Sequence, residues 1–428
     1  MRIEPAASIA GHVAVPGDKS ISHRAVLLAL AGDGETRIAG FGRSADTEST
    51  LAAARVLGGT VYEHDDSVRV FGVGLRGLTE PAAPVDCGNA GTLMRLLPGL
   101  LAGQDGRRFE LAGDESLSTR PMERIAEPLR RMGAKIETVD GHAPIRIEGG
   151  ALQPLTYELP VASAQVKSAI LLAGLLARGG ETTVLEPIPT RDHTERLLAA
   201  AGVEVKARPN SVSVWPAETL SLGEVDVPGD ISSAAPLVVA ATLIAGSELT
   251  LHGVNLNPRR LGFVTVLQRM GAKITVFNRR LIGGEPGGDL EVLPARLVGA
   301  TIGPKEVPSL VDELPLFALA ATYARGDTVV TGAEELRHKE TDRIEAVVDG
   351  LRGLGGHIRA TEDGFVIRGV PSRLRGGSLD ARGDHRIAML GAIAGLASRD
   401  GVEVVGAETV AVSFPGFYDL LDSLRATR

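Results

Sequence analysis

The hexapeptide RMGAKI stands at residues 131–136 and again, letter for letter, at residues 269–274. Weaker versions with a glycine at the same third position lie at residues 56–61, 200–205 and 353–358. A glycine there suits the left-handed cap that ends a helix, and the β-branched residues after it suit a strand. Each copy therefore predicts an amphipathic helix that ends at the glycine and opens onto a strand.

A second pattern is interleaved with the first. It consists of an Ala/Leu-rich run typical of a helix, a Gly or Asp turn, and a short run typical of a strand. The six copies lie at residues 25–38, 93–111, 170–185, 236–251, 316–330 and 387–405. Together the two patterns predict repeat units in a βαβαββ-like order. Because a unit this small cannot bury both helices alone, the units must pack on one another.

The tetrapeptide VPGD divides the repeats into two groups, since its copies at residues 15–18 and 227–230 bracket three of them. Pro-Gly is a turn and boundary signal. We therefore expect an N-terminal lobe of residues 18–229 and a C-terminal lobe of residues 1–17 and 230–428. The expected fold class is α/β, with six βαβαββ repeat units, three per lobe. A continuous solenoid with two similar turns is the alternative.

The composition limits the classes of function. The formal net charge of −8 and an aromatic content of 3% offer neither a field for polyanions nor stacking surfaces for bases, so no nucleic-acid partner is expected. The single cysteine, Cys87, favours a reducing compartment. No signal-peptide core or membrane-length apolar run occurs, so we expect a cytoplasmic protein without a membrane partner. The absence of an HxxxH pair or a Cys cluster argues against a metal site.

Residues 72–77 read GVGLRG and match the dinucleotide fingerprint GxGxxG. That fingerprint needs a helix to begin at its end, so that backbone N–H groups meet the pyrophosphate. Pro81 and Pro84 stand where the helix would be. We therefore predict a surface turn and no nucleotide cofactor.

Three segments of the first half place polar residues where an Ala/Leu-rich helix begins. These are residues 17–24, 86–92 and 160–168. In the first, Lys19, Ser20 and Arg24 combine formal charge with the N–H groups and dipole of a helix start, a favourable anion site. The plainer interpretation is an N-cap, Asp18 or Ser20, with solvated charges around it.

The second half contains similar segments at residues 311–315, 337–343 and 383–386. Lys339 and Arg343 are four residues apart, which predicts one face of a helix; a solvated surface helix is the alternative. Asp312 stands at the start of an apolar helix, where it could equally be an N-cap. In a two-lobed molecule these polar helix starts would face one another across a cleft and form a pocket for anionic substrates.

Together the segments resemble the signature segments of the 5-enolpyruvylshikimate-3-phosphate (EPSP) synthase family. They occur in that family's order over nearly the whole chain, at residues 17–24, 88–92, 118–122, 163–167, 312–313, 339–343 and 384–386. The forms SAQVK and RDHTE, at 163–167 and 191–195, are similar to the divergent bacterial branch. The resemblance implies a two-lobed enolpyruvyl transferase fold. It also implies transfer of the enolpyruvyl group of phosphoenolpyruvate to the 5-hydroxyl of shikimate-3-phosphate, without a metal or organic cofactor.

The resemblance further implies the catalytic residues. Asp312 corresponds to the base at the attacking 5-hydroxyl, and Glu340 to the acid that protonates the enol methylene. Addition gives a tetrahedral intermediate that then loses phosphate. Lys19 joins this catalytic set, and His385 is expected to assist.

Eleven other residues are implied to bind the substrates. Phosphate and carboxylate groups are held by Ser20 and Arg24. Shikimate-3-phosphate is bound by Ser163, Gln165, Arg191 and Lys339. Phosphoenolpyruvate is surrounded by Gly91, Arg120, Arg343 and Arg386, and Asn89 completes the substrate-binding set. The family binds glyphosate in place of phosphoenolpyruvate, and some insensitive members carry Ala at the position of Gly91.

Two alternatives differ from this interpretation in recognisable features. The related transferase acting on UDP-N-acetylglucosamine usually carries a reactive Cys in the loop before an Arg-Pro pair, whereas residues 114–120 read DESLSTR. A non-catalytic repeat protein has no need of the polar helix starts. One departure from the EPSP synthase pattern is Val412, which stands where the family often has Lys. We expect a monomer.

Overall fold

The computed structural model describes residues 1–426, which fold into two compact units. The N-terminal lobe comprises Gly17–Val227 and Gly283–Glu285, and the C-terminal lobe comprises Met1–Pro16, Pro228–Ile282 and the chain from Pro286 onward. The chain passes into the N-terminal lobe one residue before the boundary predicted after residue 17. It returns to the C-terminal lobe two residues before the boundary predicted after residue 229. The short stretch Gly283–Glu285 lay outside the predicted N-terminal lobe. It groups there because Glu285 is buried against His193, with 2.7 Å between Oε1 and Nδ1.

The described residues form 24 strands and 13 α-helices. The strands are β1 (Arg2–Ile3), β2 (Ser8–Ala14), β3 (Glu35–Ala39), β4 (Thr60–His64), β5 (Ser67–Phe71), β6 (Val85–Asp86), β7 (Arg108–Ala112), β8 (Lys135–Val139), β9 (His142–Glu148), β10 (Thr156–Glu158), β11 (Thr182–Leu185), β12 (Val205–Arg208), β13 (Ser211–Val214), β14 (Glu224–Asp226), β15 (Glu248–Asn255), β16 (Lys273–Ile282), β17 (Glu285–Leu293), β18 (Thr301–Ile302), β19 (Gly326–Val330), β20 (His357–Thr361), β21 (Gly364–Gly369), β22 (Gly377–Asp380), β23 (Val402–Val405) and β24 (Arg425–Ala426).

The helices are α1 (Lys19–Leu30), α2 (Ala45–Val56), α3 (Gly91–Leu101), α4 (Glu115–Ser118), α5 (Glu123–Arg131), α6 (Ala164–Gly174), α7 (His193–Ala200), α8 (Ile231–Leu243), α9 (Gly262–Arg269), α10 (Leu314–Thr322), α11 (Arg343–Gly353), α12 (His385–Ala397) and α13 (Phe417–Leu424). Short 3₁₀ turns lie at Val307–Ser309, Val311–Glu313, Glu334–His338 and Ala407–Val412.

The described strands form six small sheets, three in each lobe, one for each predicted repeat unit. Each sheet contains one parallel pair, and antiparallel pairing extends it. In the sheet β6-β7-β9-β8, for example, β6 runs parallel to β7, and the β8–β9 hairpin adds to β7 in antiparallel fashion. Within residues 1–426, no such hairpin follows β23 in the last unit, and β1 pairs with β23 instead.

Two strands lie next to the points where the chain passes between the lobes, and each pairs with a strand distant in sequence. β14 precedes α8 in sequence but pairs in parallel with β3, so that it closes a sheet of the N-terminal lobe. β2 precedes α1 but pairs in parallel with β15 in the C-terminal lobe. The pairing of β2 with β15 therefore joins the N-terminal segment of the chain to the C-terminal lobe.

The glycines predicted to end the second helix of each unit adopt left-handed conformations. Their φ angles are 106° at Gly58, 107° at Gly133, 84° at Gly202, 100° at Gly271 and 97° at Gly355. A residue without a Cβ adopts this region without strain. The strands β4, β8, β12, β16 and β20 begin just after these glycines, so the predicted helix–glycine–strand pattern is confirmed.

The Ala/Leu-rich helices are buried nearly all round and form the centre of each lobe. In α1 every residue from Ile21 to Leu30 is buried, and in α12 every residue is buried. Each lobe has its own apolar cluster. α3 and α6 pack so closely that a Cβ on Gly99 would lie 2.3 Å from the carbonyl oxygen of Ala169. The close packing of these helices fixes their N-termini, where the polar segments lie.

Two further findings concern the dinucleotide fingerprint and membrane-spanning helices. Residues 72–77 are followed by turns and short extended segments, and the next helix begins at Gly91, so the predicted turn is confirmed. Among residues 1–426, no helix is both long enough and apolar enough to cross a membrane.

Candidate active site

The first polar segment surrounds the N-terminus of α1. Asp18 is the N-cap, and its Oδ1 accepts a hydrogen bond from the amide of Ile21 at 3.0 Å. The capping interpretation of Asp18 is therefore right. Lys19 Nζ lies 2.6 Å from Asp46 Oδ2 on α2, and Ser20 is partly accessible.

Arg24 is held rigidly one turn further along α1. Its guanidinium donates to Thr194 Oγ1 at 2.8 Å, to Ser168 Oγ at 3.0 Å and to the carbonyl of Ser20 at 2.9 Å. Burial and the nearby charge of Arg191 lower the pKa of Arg24 to about 10. Two cations close together in a desolvated site favour binding of an anion, because the anion relieves their mutual repulsion.

A second group lies at the N-terminus of α3. Arg120 donates to Asn89 Oδ1 at 2.7 Å, while Gln165 accepts from Arg95 Nη1 at 2.9 Å. A Cβ on Gly91 would lie 3.2 Å from Nη1 of both Arg120 and Arg95. The predicted residues Asn89, Gly91, Arg120 and Gln165 are therefore brought together, and Arg95 joins them.

A third group is a buried charge network between α6 and α7. Ser163 caps α6, accepting from the amide of Val166 at 3.3 Å. Lys167 is fully buried, with Nζ 3.0 Å from Glu186 and 2.6 Å from Glu195. Glu186 in turn accepts from the amide of Thr190 at 3.1 Å, one residue before Arg191. This network fixes the segment that carries Arg191.

One group of two carboxylates and a histidine in the N-terminal lobe has metal-ligand geometry. Asp192, His193 and Glu285 each place one ligand atom within 4.8 Å of the others. Arg196 Nε lies 3.1 Å from Asp192 and 3.6 Å from Glu285, and His193 bonds to Glu285. The three side chains are therefore part of an ion-pair network.

In the C-terminal lobe, three cations surround Asp312. The distances to its carboxylate are 3.6 Å from Arg343, 3.8 Å from Lys339 and 3.9 Å from Arg260. Asp312 lies in the 3₁₀ turn Val311–Glu313, and the N-cap position of α10 is Glu313, which makes no side-chain cap bond. The capping interpretation of Asp312 is therefore wrong.

The segment 337–343 differs from the continuous helix that the spacing predicted. The 3₁₀ turn Glu334–His338 ends before Lys339, whose backbone is extended, and α11 begins only at Arg343. Asp342 is the N-cap of α11, because its Oδ1 accepts hydrogen bonds from the amides of Ile344 and Glu345. Lys339 and Arg343 nevertheless converge on Asp312.

Arg343 is the centre of this polar group in the C-terminal lobe. It donates to Glu340 at 2.6 Å and to Asp384 at 2.7 Å. Burial alone lowers its pKa, but Asp384 and Glu340 raise the pKa of Arg343 above its usual value. Burial lowers the pKa of Lys339, although Asp312 opposes that change.

The start of α12 supplies the last two predicted residues. Asp384 caps the helix by accepting from the amide of Arg386 at 2.8 Å. Arg386 Nη1 donates to the carbonyl of Ser232 at 3.1 Å, and His385 is buried beside it in sequence. The predicted helix start at 384–386 is thus confirmed.

Three residues near these groups were missed by the sequence interpretation of the site. Arg95 interrupts the apolar helix α3, and that interruption was a usable signal. Lys167 was recognised as part of the SAQVK segment, but not as a buried ion-pair partner. Arg260 follows β15 in a loop, where sequence alone gave no sign that its side chain is buried near Asp312.

The comparisons with known proteins first establish the fold class. The structure matches the enolpyruvyl transferase NikO from Streptomyces tendae with a TM-score of 0.79 at 20% identity. The match covers 99% of this chain and 96% of that one. It also matches EPSP synthase from Acinetobacter baumannii with a TM-score of 0.87 at 44% identity, covering 100% of this chain and 98% of that one. The fold is therefore that of an enolpyruvyl transferase, as predicted.

Sequence comparison then defines the family. The model of EPSP synthase (3-phosphoshikimate 1-carboxyvinyltransferase) matches residues 3–421. The 3-phosphoshikimate 1-carboxyvinyltransferase of Methylococcus capsulatus is 49% identical over 98% of this chain and 96% of its own length. The 3-phosphoshikimate 1-carboxyvinyltransferase of Xanthomonas campestris is 51% identical over 96% of this chain and 94% of its own length. The chain belongs to the EPSP synthase family, which confirms the predicted family and the predicted transferase function.

Proposed function

We propose that Asp312 and Glu340 are the proton-transfer groups of this transferase. In the proposed reaction, Asp312 takes the proton of the 5-hydroxyl of shikimate-3-phosphate as the oxygen attacks C2 of phosphoenolpyruvate. Glu340 protonates the methylene carbon, which gives a tetrahedral intermediate. Loss of phosphate and of a methyl proton then forms the enolpyruvyl ether.

The observation that carries the proposal is the position of Asp312 among three cations at 3.6, 3.8 and 3.9 Å. Opposite charges at this range favour the ionised carboxylate, the form a base requires. Its side chain remains 18% exposed, so a ligand can reach it. Asp312 is not the N-cap residue of α10, because Glu313 occupies that position.

The binding roles follow from the anionic character of both substrates. Lys19, Ser20 and Arg24 hold phosphate or carboxylate groups, and Arg191 adds a second cation near Arg24. The shikimate-3-phosphate set is Ser163, Gln165, Arg191 and Lys339. The phosphoenolpyruvate set is Gly91, Arg120, Arg343 and Arg386, with Asn89 orienting Arg120.

The protonation of Glu340 has a local constraint. Glu340 accepts a hydrogen bond from Arg343 at 2.6 Å. That cation stabilises the carboxylate, so Glu340 is a poor acid until charge develops on the substrate. We propose that an anion bound at Arg343 weakens this pairing and makes proton delivery possible. His385, adjacent in sequence to both Asp384 and Arg386, is proposed to assist.

We further propose that the reaction requires neither metal nor organic cofactor, and that the enzyme acts as a cytoplasmic monomer. Backbone amides at helix starts and the cations above provide the electrostatic stabilisation that a metal supplies in other transferases.

The experiment compares Asp312→Asn and Glu340→Gln with the parent. Turnover should fall by about 10²-fold or more, the scale expected for general acid–base groups. The affinity for shikimate-3-phosphate, measured by calorimetry, should change much less. Asp327→Asn is the matched control, since Asp327 is an exposed acid of β19 in the same lobe. Near-parent turnover in both test variants would show that the two acids have only structural roles.

A further inference from the structure

Arg260 is a buried cation for which the family segments provide no role. It follows β15 in a loop that is held by two side chains: Asn255 Oδ1 accepts from the amide of Asn257 at 2.8 Å, and Asn257 Oδ1 accepts from the amide of Arg259 at 2.9 Å. These bonds turn the chain so that the Arg260 side chain enters the lobe, where it is 2% exposed. Burying a guanidinium is costly unless it is paired, so its partners indicate what it does.

Arg260 reaches the turn Val311–Glu313 by two routes. Its Nη1 lies 3.9 Å from Asp312 Oδ2. Its Nη2 donates to Ser232 Oγ at 2.8 Å, and Ser232 Oγ donates a short hydrogen bond to Glu313 Oε1. One planar side chain therefore lies near two successive acids of the same turn, with Nη1 3.9 Å from Asp312 and Nη2 4.0 Å from Glu313, and the Ser232 hydroxyl also links Nη2 to Glu313.

The other end of this arrangement is anchored to α8. Arg260 Nη2 lies 3.3 Å from Asp230 Oδ1, and the same oxygen accepts from the amide of Ser232 at 2.8 Å. Asp230 and Glu313 are both buried, whereas Asp312 is the carboxylate of the three that keeps the largest exposure. Arg260 is thus hydrogen-bonded to buried groups at the start of α8, and its Nη1 lies 3.9 Å from the more exposed carboxylate of Asp312.

We propose that Arg260 is a positioning residue that orients Asp312 for proton abstraction; this rests on the role proposed for Asp312. Nη2 donates to Asp230 and Ser232, so the planar guanidinium presents Nη1 to Asp312 from a fixed direction, which a lysine at this place would not do. Lys339 and Arg343 also face Asp312, at 3.8 and 3.6 Å, so loss of Arg260 removes orientation while much of the local positive charge remains.

The test is a double-mutant cycle between Arg260→Met and Asp312→Asn. Arg260→Met should lower kcat by on the order of 10- to 100-fold, because a small misplacement of a reacting group has effects of that size. In the Asp312→Asn background the same substitution should change kcat by less than about threefold, since interacting residues are not additive. The KM for shikimate-3-phosphate should stay near the parent value.

Three further variants separate orientation from charge and from folding. Arg260→Lys keeps the charge without the fork and should recover only part of kcat. Ser232→Ala removes the route through Glu313 and should have a smaller effect than Arg260→Met. Arg259→Met, at the neighbouring half-buried position, is the control for the loop. If Arg260→Met does not fold, the cycle is measured with Arg260→Lys.

The outcomes distinguish this proposal from the one on which it rests. If Asp312→Asn impairs turnover but the Arg260 substitution lowers kcat by the same factor in both backgrounds, the positioning role is wrong and Asp312 remains the base. If Asp312→Asn has parent turnover, the assignment of the base is wrong and the positioning role falls with it.

Discussion

Replacement of Lys167 by methionine should destabilise the N-terminal lobe strongly. Lys167 is fully buried, and its Nζ lies 3.0 Å from Glu186 and 2.6 Å from Glu195, both of which are nearly inaccessible. Methionine fills similar space without charge, so two buried carboxylates lose their counterion. Breaking a buried ion pair by removing one partner costs about 3 to 5 kcal/mol. For a unit of this size that corresponds to a Tm roughly 6 to 20 °C lower.

The effect should depend on pH in a defined direction. Burial already raises the pKa of Glu195, and Lys167 opposes that rise. A carboxyl whose folded-state pKa is raised contributes stability at low pH that is lost as the pH rises through that pKa. Removing Lys167 raises the pKa further, so the loss of stability relative to the parent should be larger near pH 7.5 than near pH 5. Adding Glu195→Gln to Lys167→Met should recover part of the loss.

The assay is chemical unfolding combined with hydrogen exchange of the α6 and α7 amides. Lys135→Met is the matched control, because Lys135 pairs with Glu148 at the same 2.6 Å but both side chains are exposed. An exposed pair contributes little, so this variant should behave like the parent. Equal and small losses in the two variants, or a loss independent of pH, would refute the reasoning about the buried network.

Two other substitutions test close contacts at α3. Gly91→Ala puts a methyl 3.2 Å from the guanidinium ends of Arg120 and Arg95, so these must shift. The inhibition constant for glyphosate should therefore rise more than the KM for phosphoenolpyruvate. Initial rates at several concentrations of both compounds test this, and an unchanged ratio of inhibition constant to KM would count against it. Gly99→Ala would place a Cβ 2.3 Å from the Ala169 carbonyl oxygen and should cost about 1 to 3 kcal/mol in urea unfolding. Gly150→Ala, which meets nothing within 4 Å, should not.

Much of the fold could be predicted because its signals are local. A glycine that must adopt a left-handed conformation, such as Gly133, ends its helix whatever surrounds it. The N-caps at Ser163 and Asp384 are equally local, since each bonds to an amide two or three residues ahead. These local features placed several helix boundaries, whereas the residues proposed to bind substrate were implied by the family resemblance.

What the sequence did not predict depends on distant parts of the chain. The pairing of Lys167 with Glu186 and Glu195, and of Arg260 with Asp230 and Asp312, joins residues whose closeness arises only when the helices pack. The segment 337–343 was predicted as one helix because the i,i+4 spacing of charges is only a weak preference. The competing cap at Asp342 divided it.

The most direct test of the account is phosphate release by the purified chain in the presence of excess chelator. Phosphate and a new enolpyruvyl ether should appear only when shikimate-3-phosphate and phosphoenolpyruvate are both present. UDP-N-acetylglucosamine should not replace shikimate-3-phosphate. Chelator should leave the rate unchanged. No phosphate with both substrates, or release from phosphoenolpyruvate alone, would contradict the proposed reaction, and activity restored only by a divalent metal would contradict its independence of cofactors.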